Sequence, residues 1–151
     1  MREGPRRCTD LSYATFNNAD LDGSNFEGAS LALATFGSEP GASGQIMYDN
    51  MNFKRANLLR TTFRNILFSD TDFSGADFSQ STFDNVSFKI GNAKQFNNTF
   101  NRTRFGVVDL SSTDLTIDDL HDAILCNVTL NGVVLLPNDC DLYYKLPPVT
   151  E

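Results

Sequence analysis

Chemistry at neutral pH needs a general base, an activated nucleophile or a metal cage. This chain of 151 residues has one histidine, His121, and three cysteines, Cys8, Cys126 and Cys140. No motif surrounds His121 that would make it the base of a Ser–His–Asp arrangement, so it reads as an exposed residue near one end of the molecule. The cysteines lack the CxxC partners of a zinc site. Gly41 and Gly44 lie in a loop without the Lys-Ser/Thr of a phosphate-binding loop. The expectation is no catalytic residue, no cofactor, no metal and hence no enzyme. Asn-x-Ser/Thr triplets at Asn85, Asn97, Asn101 and Asn127 are what an Asn- and Thr-rich chain produces by chance.

Surface and sulfur chemistry remain. The net charge of −7 disfavours nucleic acid and anionic membranes as partners. The longest aliphatic run, Val133–Leu136, is far too short to span a bilayer. Against the acidic background, Lys54, Arg55, Arg60 and Arg64 form a basic group. With Glu39, in a Gly/Ser-rich loop, they are the candidate contacts for an unknown protein partner. The competing reading is ordinary solubilising charge. Cys126 and Cys140 allow two readings as well. A disulfide between them would stabilise by about 3 kcal/mol in the chain-entropy account and imply an oxidising compartment. Alternatively they are two reduced thiols of a cytosolic protein. Cys8 reads as a free surface thiol.

The element that must position these groups has period five. Large apolar residues recur at Leu11, Phe16, Leu21, Phe26, Leu31 and Phe36, then from Tyr48 to Phe88, then from Phe100 to Leu135. Every Phe but Phe96 falls on this register. Neither the 3.6 period of a helix nor the 2.0 period of a strand fits. Two places before nearly every large residue stands a small or apolar one, such as Ala19, Ala29, Thr61 or Ala76. Asp or Asn often stands between, as at Asp20, Asn25, Asn57, Asp72, Asp77, Asp109 and Asp114. Ala19-Asp20-Leu21-Asp22-Gly23 and Ala76-Asp77-Phe78-Ser79-Gln80 are clean copies.

The pattern resembles the pentapeptide repeat family over roughly residues 8–136. That resemblance implies an all-β fold, a right-handed quadrilateral β-helix in which each pentapeptide forms one side. The small and the large residue point inward and the other three face solvent. Counting each interruption as one side gives about six coils and a rod about 30 Å long. The resulting ladders are Leu11, Leu31, Phe53, Phe73; Phe16, Phe36, Leu58, Phe78, Phe100; Leu21, Phe63, Phe83, Phe105; and Phe26, Tyr48, Phe68, Phe88, Leu110. Inserted loops are expected near 37–47 and 89–98, bulging from the third and first sides.

Residues 1–7 read as a disordered, basic N-terminal segment and 137–151 as a C-terminal cap and tail. Leu142-Tyr143-Tyr144 is apolar enough to cover the last coil. The β-helix is expected to continue through 116–122 with a local distortion; the alternative is a short helix cap, Thr116 and Asp119 having the spacing of a helix N-cap. Family members of the thylakoid lumen are similar in pairing a repeat rod with a disulfide-tied C-terminal cap; a lumen or periplasm is the implied compartment if the bridge forms. The function expected is a non-enzymatic scaffold or protein–protein interaction module, monomeric or weakly dimeric. The alternative that the family implies is a DNA-mimic inhibitor of a type II topoisomerase. The bases in the middle of the chain argue against a continuous negative surface.

Overall fold

The computed structural model describes residues 8–88, 98–134 and 140–145. The expectations for 1–7, for most of the second loop (89–97), for the Pro137–Asp139 turn and for the tail beyond 145 lie outside them. Strands are short and run in chain order: β1 (Thr15–Asn17), β2 (Thr35–Gly37), β3 (Ile46–Asp49), β4 (Thr62–Ser69), β5 (Thr82–Ser87), β6 (Arg104–Asp109), β7 (Ile124–Leu130) and β8 (Val133–Val134). Pairing between successive coils is parallel, and among the described residues only the terminal β7–β8 pair is antiparallel. Single bridges such as Asn25 to Asn52 and Asn52 to Asp72 continue the ladder where no strand forms. The result is a quadrilateral β-solenoid of about five turns, or roughly 24 Å of rod at ~4.8 Å per coil.

The inward residues stack in four columns. The first runs Leu11, Leu31, Leu58, Phe78, Phe105, Leu125; the second Phe16, Phe36, Phe63, Phe83. Leu21, Tyr48, Phe68 and Phe88 make the third, and Phe26, Phe53, Phe73 and Phe100 the fourth. Phe rings within a column stack nearly parallel, as for Phe53 on Phe73 (5.5 Å, 5°) and Phe73 on Phe100 (5.4 Å, 5°), whereas Tyr48 is tilted by 55° on Phe68. Rings of neighbouring columns meet edge to face, as for Phe68 and Phe73 at 89°, or tilted, as for Phe78 and Phe83 at 53°. Stacked and edge-to-face arrangements both suit the ring quadrupole.

These columns correct the expected ladders. Phe36 stacks on Phe63 rather than Leu58, and Phe105 covers Phe78 rather than Phe83. The physical reason is that an insertion consumes no side. β2 ends at Gly37 opposite Arg64, and β3 begins at Ile46 opposite Ile66. Ser38–Gln45 therefore fills, at one corner, the place that Asn65 alone fills in the next coil. The loop is shorter than 37–47 and leaves between the second and third columns. The coil count falls from six to about five for the same reason.

The small residues pack beside the columns and close polar gaps. Thr61, Ser81 and Thr103 are buried and donate their hydroxyls to the carbonyls of Leu31 (2.9 Å), Leu58 (2.7 Å) and Phe73 (2.7 Å). Asp and Asn before the large residue serve another purpose. Their Oδ1 accepts from the N–H two residues on, as in Asn52 to Lys54, Asp72 to Ser74, Asp77 to Ser79 and Asp109 to Ser111, each at 2.9 Å. Each such Asx turn fixes a corner.

At the C-terminal end the β-helix does continue, with a 3₁₀ turn at Ile117–Leu120. Asp119 Oδ2 accepts from Thr116 N and Thr116 Oγ1, both at 2.7 Å. Leu120 is buried, so the distortion keeps an apolar residue in the core and leaves Asp118 outside it. Helix α1 (Cys140–Lys145) packs against β7. It lies on the wall of the last coil, with Leu142 about half exposed.

Candidate partner-binding surface

Among the described residues the interior is filled by columns, which leaves the surface for a site. Its shape is set by the corners. The residue two places after nearly every described inward apolar residue has a left-handed backbone, as at Asn18, Gly23, Gly28, Asn50, Asn65, Gly75 and Asn85. Gly and Asn suit this conformation. Arg55, Arg60 and Arg102 also adopt it, with φ of 57°, 56° and 56°. Each forgoes about 1 kcal/mol relative to glycine.

The sequence-predicted contacts are distributed over three faces rather than gathered in one patch. Lys54 and Arg55 lie at the corner after Phe53, Arg60 at the corner after Leu58, and Arg64 on the face of Phe63. Arg55 pairs with Glu27, whose carboxyl this guanidinium holds below its ordinary value. Arg60 Nε donates to Gln80 Oε1 at 2.8 Å, and Arg64 Nε meets Asp84 Oδ2 at 3.3 Å. Arg64 is thus already partnered and only partly exposed.

Glu39 belongs to a loop that is tied to the rod. Its Oε1 accepts from Asn17 Nδ2 at 3.1 Å. Asn65 Nδ2 donates to Ser38 Oγ (2.7 Å) and to Ala42 O (3.2 Å), and Ser38 is buried. Gln45 Nε2 reaches Ser87 Oγ at 2.9 Å. Gly37 makes the departure possible: a Cβ there would lie 1.8 Å from Arg64 O. The loop is a built ridge beside Arg64, since Ser38 N donates to Arg64 O at 3.1 Å.

Sequence reasoning missed a second basic cluster. Lys54, Arg55, Arg102 and Arg104 line one groove with Ser74, Gly75, Asn101 and Ile124. They are far apart in sequence, and only the coil register brings them together. Period-five counting carried through the second interruption without adding a side would have found them.

His121 is exposed, as expected. Its Nδ1 lies 2.6 Å from Asp118 O and its Nε2 3.0 Å from Asp122 Oδ2. Among the described residues no group of three or more His, Cys, Asp or Glu side chains gathers to hold a metal ion. Cys126 and Cys140 form a disulfide, with Cα atoms 4.7 Å apart, and Cys8 is a free, exposed thiol. Cys126 follows an inward Leu, but α1 covers it and it is buried. No described helix is long and apolar enough to cross a membrane.

The chain carries pentapeptide repeats: profiles described as "Pentapeptide repeats (8 copies)" and "Pentapeptide repeats (9 copies)" match residues 9–37 and 48–89. Both stop at the interruptions described above. Among solved structures it is similar to a pentapeptide repeat protein of the Arabidopsis thaliana thylakoid lumen. That likeness has 22% identity and a TM-score of 0.47 and covers 76% of this chain and 77% of that one. It is also similar to HetL, a pentapeptide repeat protein involved in heterocyst differentiation regulation in the cyanobacterium Nostoc. There the identity is 22% and the TM-score 0.41, with 88% of this chain and 59% of that one covered. No curated protein matches at a significant level.

Proposed function

We propose that this protein is a non-enzymatic scaffold that holds a protein partner on the outside of the rod, at the Ser38–Gln45 loop and the coil beside it. The observation that carries this reading is the loop itself. It replaces a one-residue corner, contributes no large residue to the core, and is nevertheless held by Asn17, Asn65 and Ser87. A loop ordered this way presents a fixed shape, which lowers the entropy lost on binding. The Cys126–Cys140 bridge supports an oxidising compartment, of the kind a thylakoid lumen or periplasm provides. A DNA-mimic role fits less well, because Arg55, Arg60, Arg64, Arg102 and Arg104 interrupt the negative surface along the rod.

The test replaces Ser38–Gln45 by a single Asn, the residue that makes the equivalent corner at Asn65. The variant is expected to fold with an unchanged circular dichroism spectrum and to lose capture of the native partner. Undiminished capture would remove the loop from the reading. Inhibition of supercoiling by equimolar wild-type protein would replace it with topoisomerase mimicry.

A further inference from the structure

We propose that the groove between Lys54, Arg55, Arg102 and Arg104 is the docking site for an extended acidic segment of the partner protein. This inference rests on the interaction-module reading and adds the chemistry of the partner. The groove has a volume of about 300 Å³. Its axis follows the corner column Gly28, Arg55, Gly75, Arg102, in which each N–H donates to the coil above: Gly28 to Lys54 O, Arg55 to Ser74 O, Gly75 to Asn101 O, each at 2.9 Å. Gly75 is the gap in the column. A Cβ there would sit 3.2 Å from Arg55 Cγ, so the missing side chain opens the floor between the two arginines.

Charge decides what fits. Arg102 and Arg104 make no side-chain hydrogen bond or ion pair among the described residues, and neither does Lys54. Arg55 is engaged by Glu27 at one end. The nearby carboxylates are committed to local donors: Asp72 to Ser74 N and Thr99 Oγ1, both at 2.9 Å, and Asp77 to Ser79 N. Glu27 and Asp72 lie close enough to Lys54 to feel its charge and offset part of it, so the positive island of the groove centres on Arg102 and Arg104. Folding alone does not call for Arg at positions 55 and 102, because both hold a left-handed backbone that Gly or Asn adopts at lower cost.

The occupant favoured is an acidic peptide rather than a nucleic acid. Arg55 and Arg102 lie two coils apart, roughly 10 Å, a distance that carboxylates a few residues apart on an extended chain can span. A nucleic acid would carry its phosphates past the island onto a molecule of net charge −7, with repulsion outside the groove.

The experiment measures fluorescence anisotropy of a labelled eight-residue glutamate/aspartate peptide titrated with the whole protein, with a single-stranded oligonucleotide of similar length as a second probe. Wild type should bind the peptide, more weakly as salt rises, and at least tenfold more tightly than the oligonucleotide. The double variant R102E/R104E should weaken peptide binding at least tenfold, whereas R60E, on another corner, should change it less than twofold. No peptide binding by wild type, equal loss in R60E, or tighter binding of the oligonucleotide overturns the groove assignment. Circular dichroism identifies any variant that misfolds; K54E then serves in its place. Loss of partner capture on loop replacement with no peptide binding at the groove sinks this inference alone, and the reverse pattern sinks the loop reading alone.

Discussion

At the residue scale, one side chain per side carries the stability. Phe73 is fully buried and stacked above and below, on Phe53 and Phe100. Phe73→Ala would leave a void between two rings that the rigid coil spacing cannot close. We expect a loss of about 3–5 kcal/mol, read as the shift of a urea unfolding midpoint. A shift below 1 kcal/mol would contradict the column. Asp72 gives a pH prediction. Burial pushes its carboxyl up, but hydrogen bonds from Ser74 and Thr99 outweigh that and hold it below its ordinary 3.8. A lowered native value means the contribution is fully present above about pH 4 and is lost as pH falls through the native value. Asp72→Asn keeps the Oδ1 acceptor of the turn and removes the titration. Thermal melts should then show a shallower loss of stability between pH 4 and pH 2 than wild type. An acid limb of unchanged slope would show that Asp72 contributes nothing to it.

At the element scale, two features hang on the rod among the described residues, the Ser38–Gln45 loop and α1. Helix α1 is six residues long and places Asp141 in its first turn and Lys145 in its last. Both match the helix dipole, yet a helix this short is not stable alone. The Cys126–Cys140 bond and packing on β7 hold it. Cys126→Ser should therefore lower stability by about 2–4 kcal/mol and expose α1 to proteolysis before the rod. Cleavage of rod and helix at equal rates would count against this division. The two features differ in how far they could be read from sequence. Spacing alone leaves Cys126 and Cys140 open between a bridge and two reduced thiols, whereas the period of five, the inward Phe and Leu and the Thr116 cap all follow from local spacing. The ladder order did not, because spacing along the chain does not say whether an interruption spends a side or a corner. That depends on Gly37, whose missing Cβ lets the chain leave beside Arg64 O, and on Asn65, which fills the same corner unaided. The basic groove was hidden for the same reason, since Lys54 and Arg102 become neighbours only once the register is right.

For the whole molecule, a solenoid is a one-dimensional stack in which each coil is stabilised by the coils it touches. A coil in the middle has two neighbours and an end coil has one. The two ends of the described rod are unequal. In the first coil Leu11, Phe16 and Leu21 are only partly buried, whereas Phe53, Phe63, Phe68 and Phe73 in the middle are wholly buried. The last coil is backed by α1 and its disulfide. Opening should therefore begin at the first coil. Hydrogen exchange followed by mass spectrometry should show the amides of 11–26 exchanging first, those of 53–83 last, and those of 124–130 protected nearly as well as the middle. Reducing the disulfide removes the difference between the ends, so peptides covering β7 should then exchange at rates closer to the first coil. Both coupling and asymmetry are needed for that outcome. If reduction speeds exchange throughout the rod equally, the molecule opens as one cooperative unit and the nearest-neighbour description fails. If reduction leaves β7 unchanged, packing on α1 without the bond already suffices to hold that end.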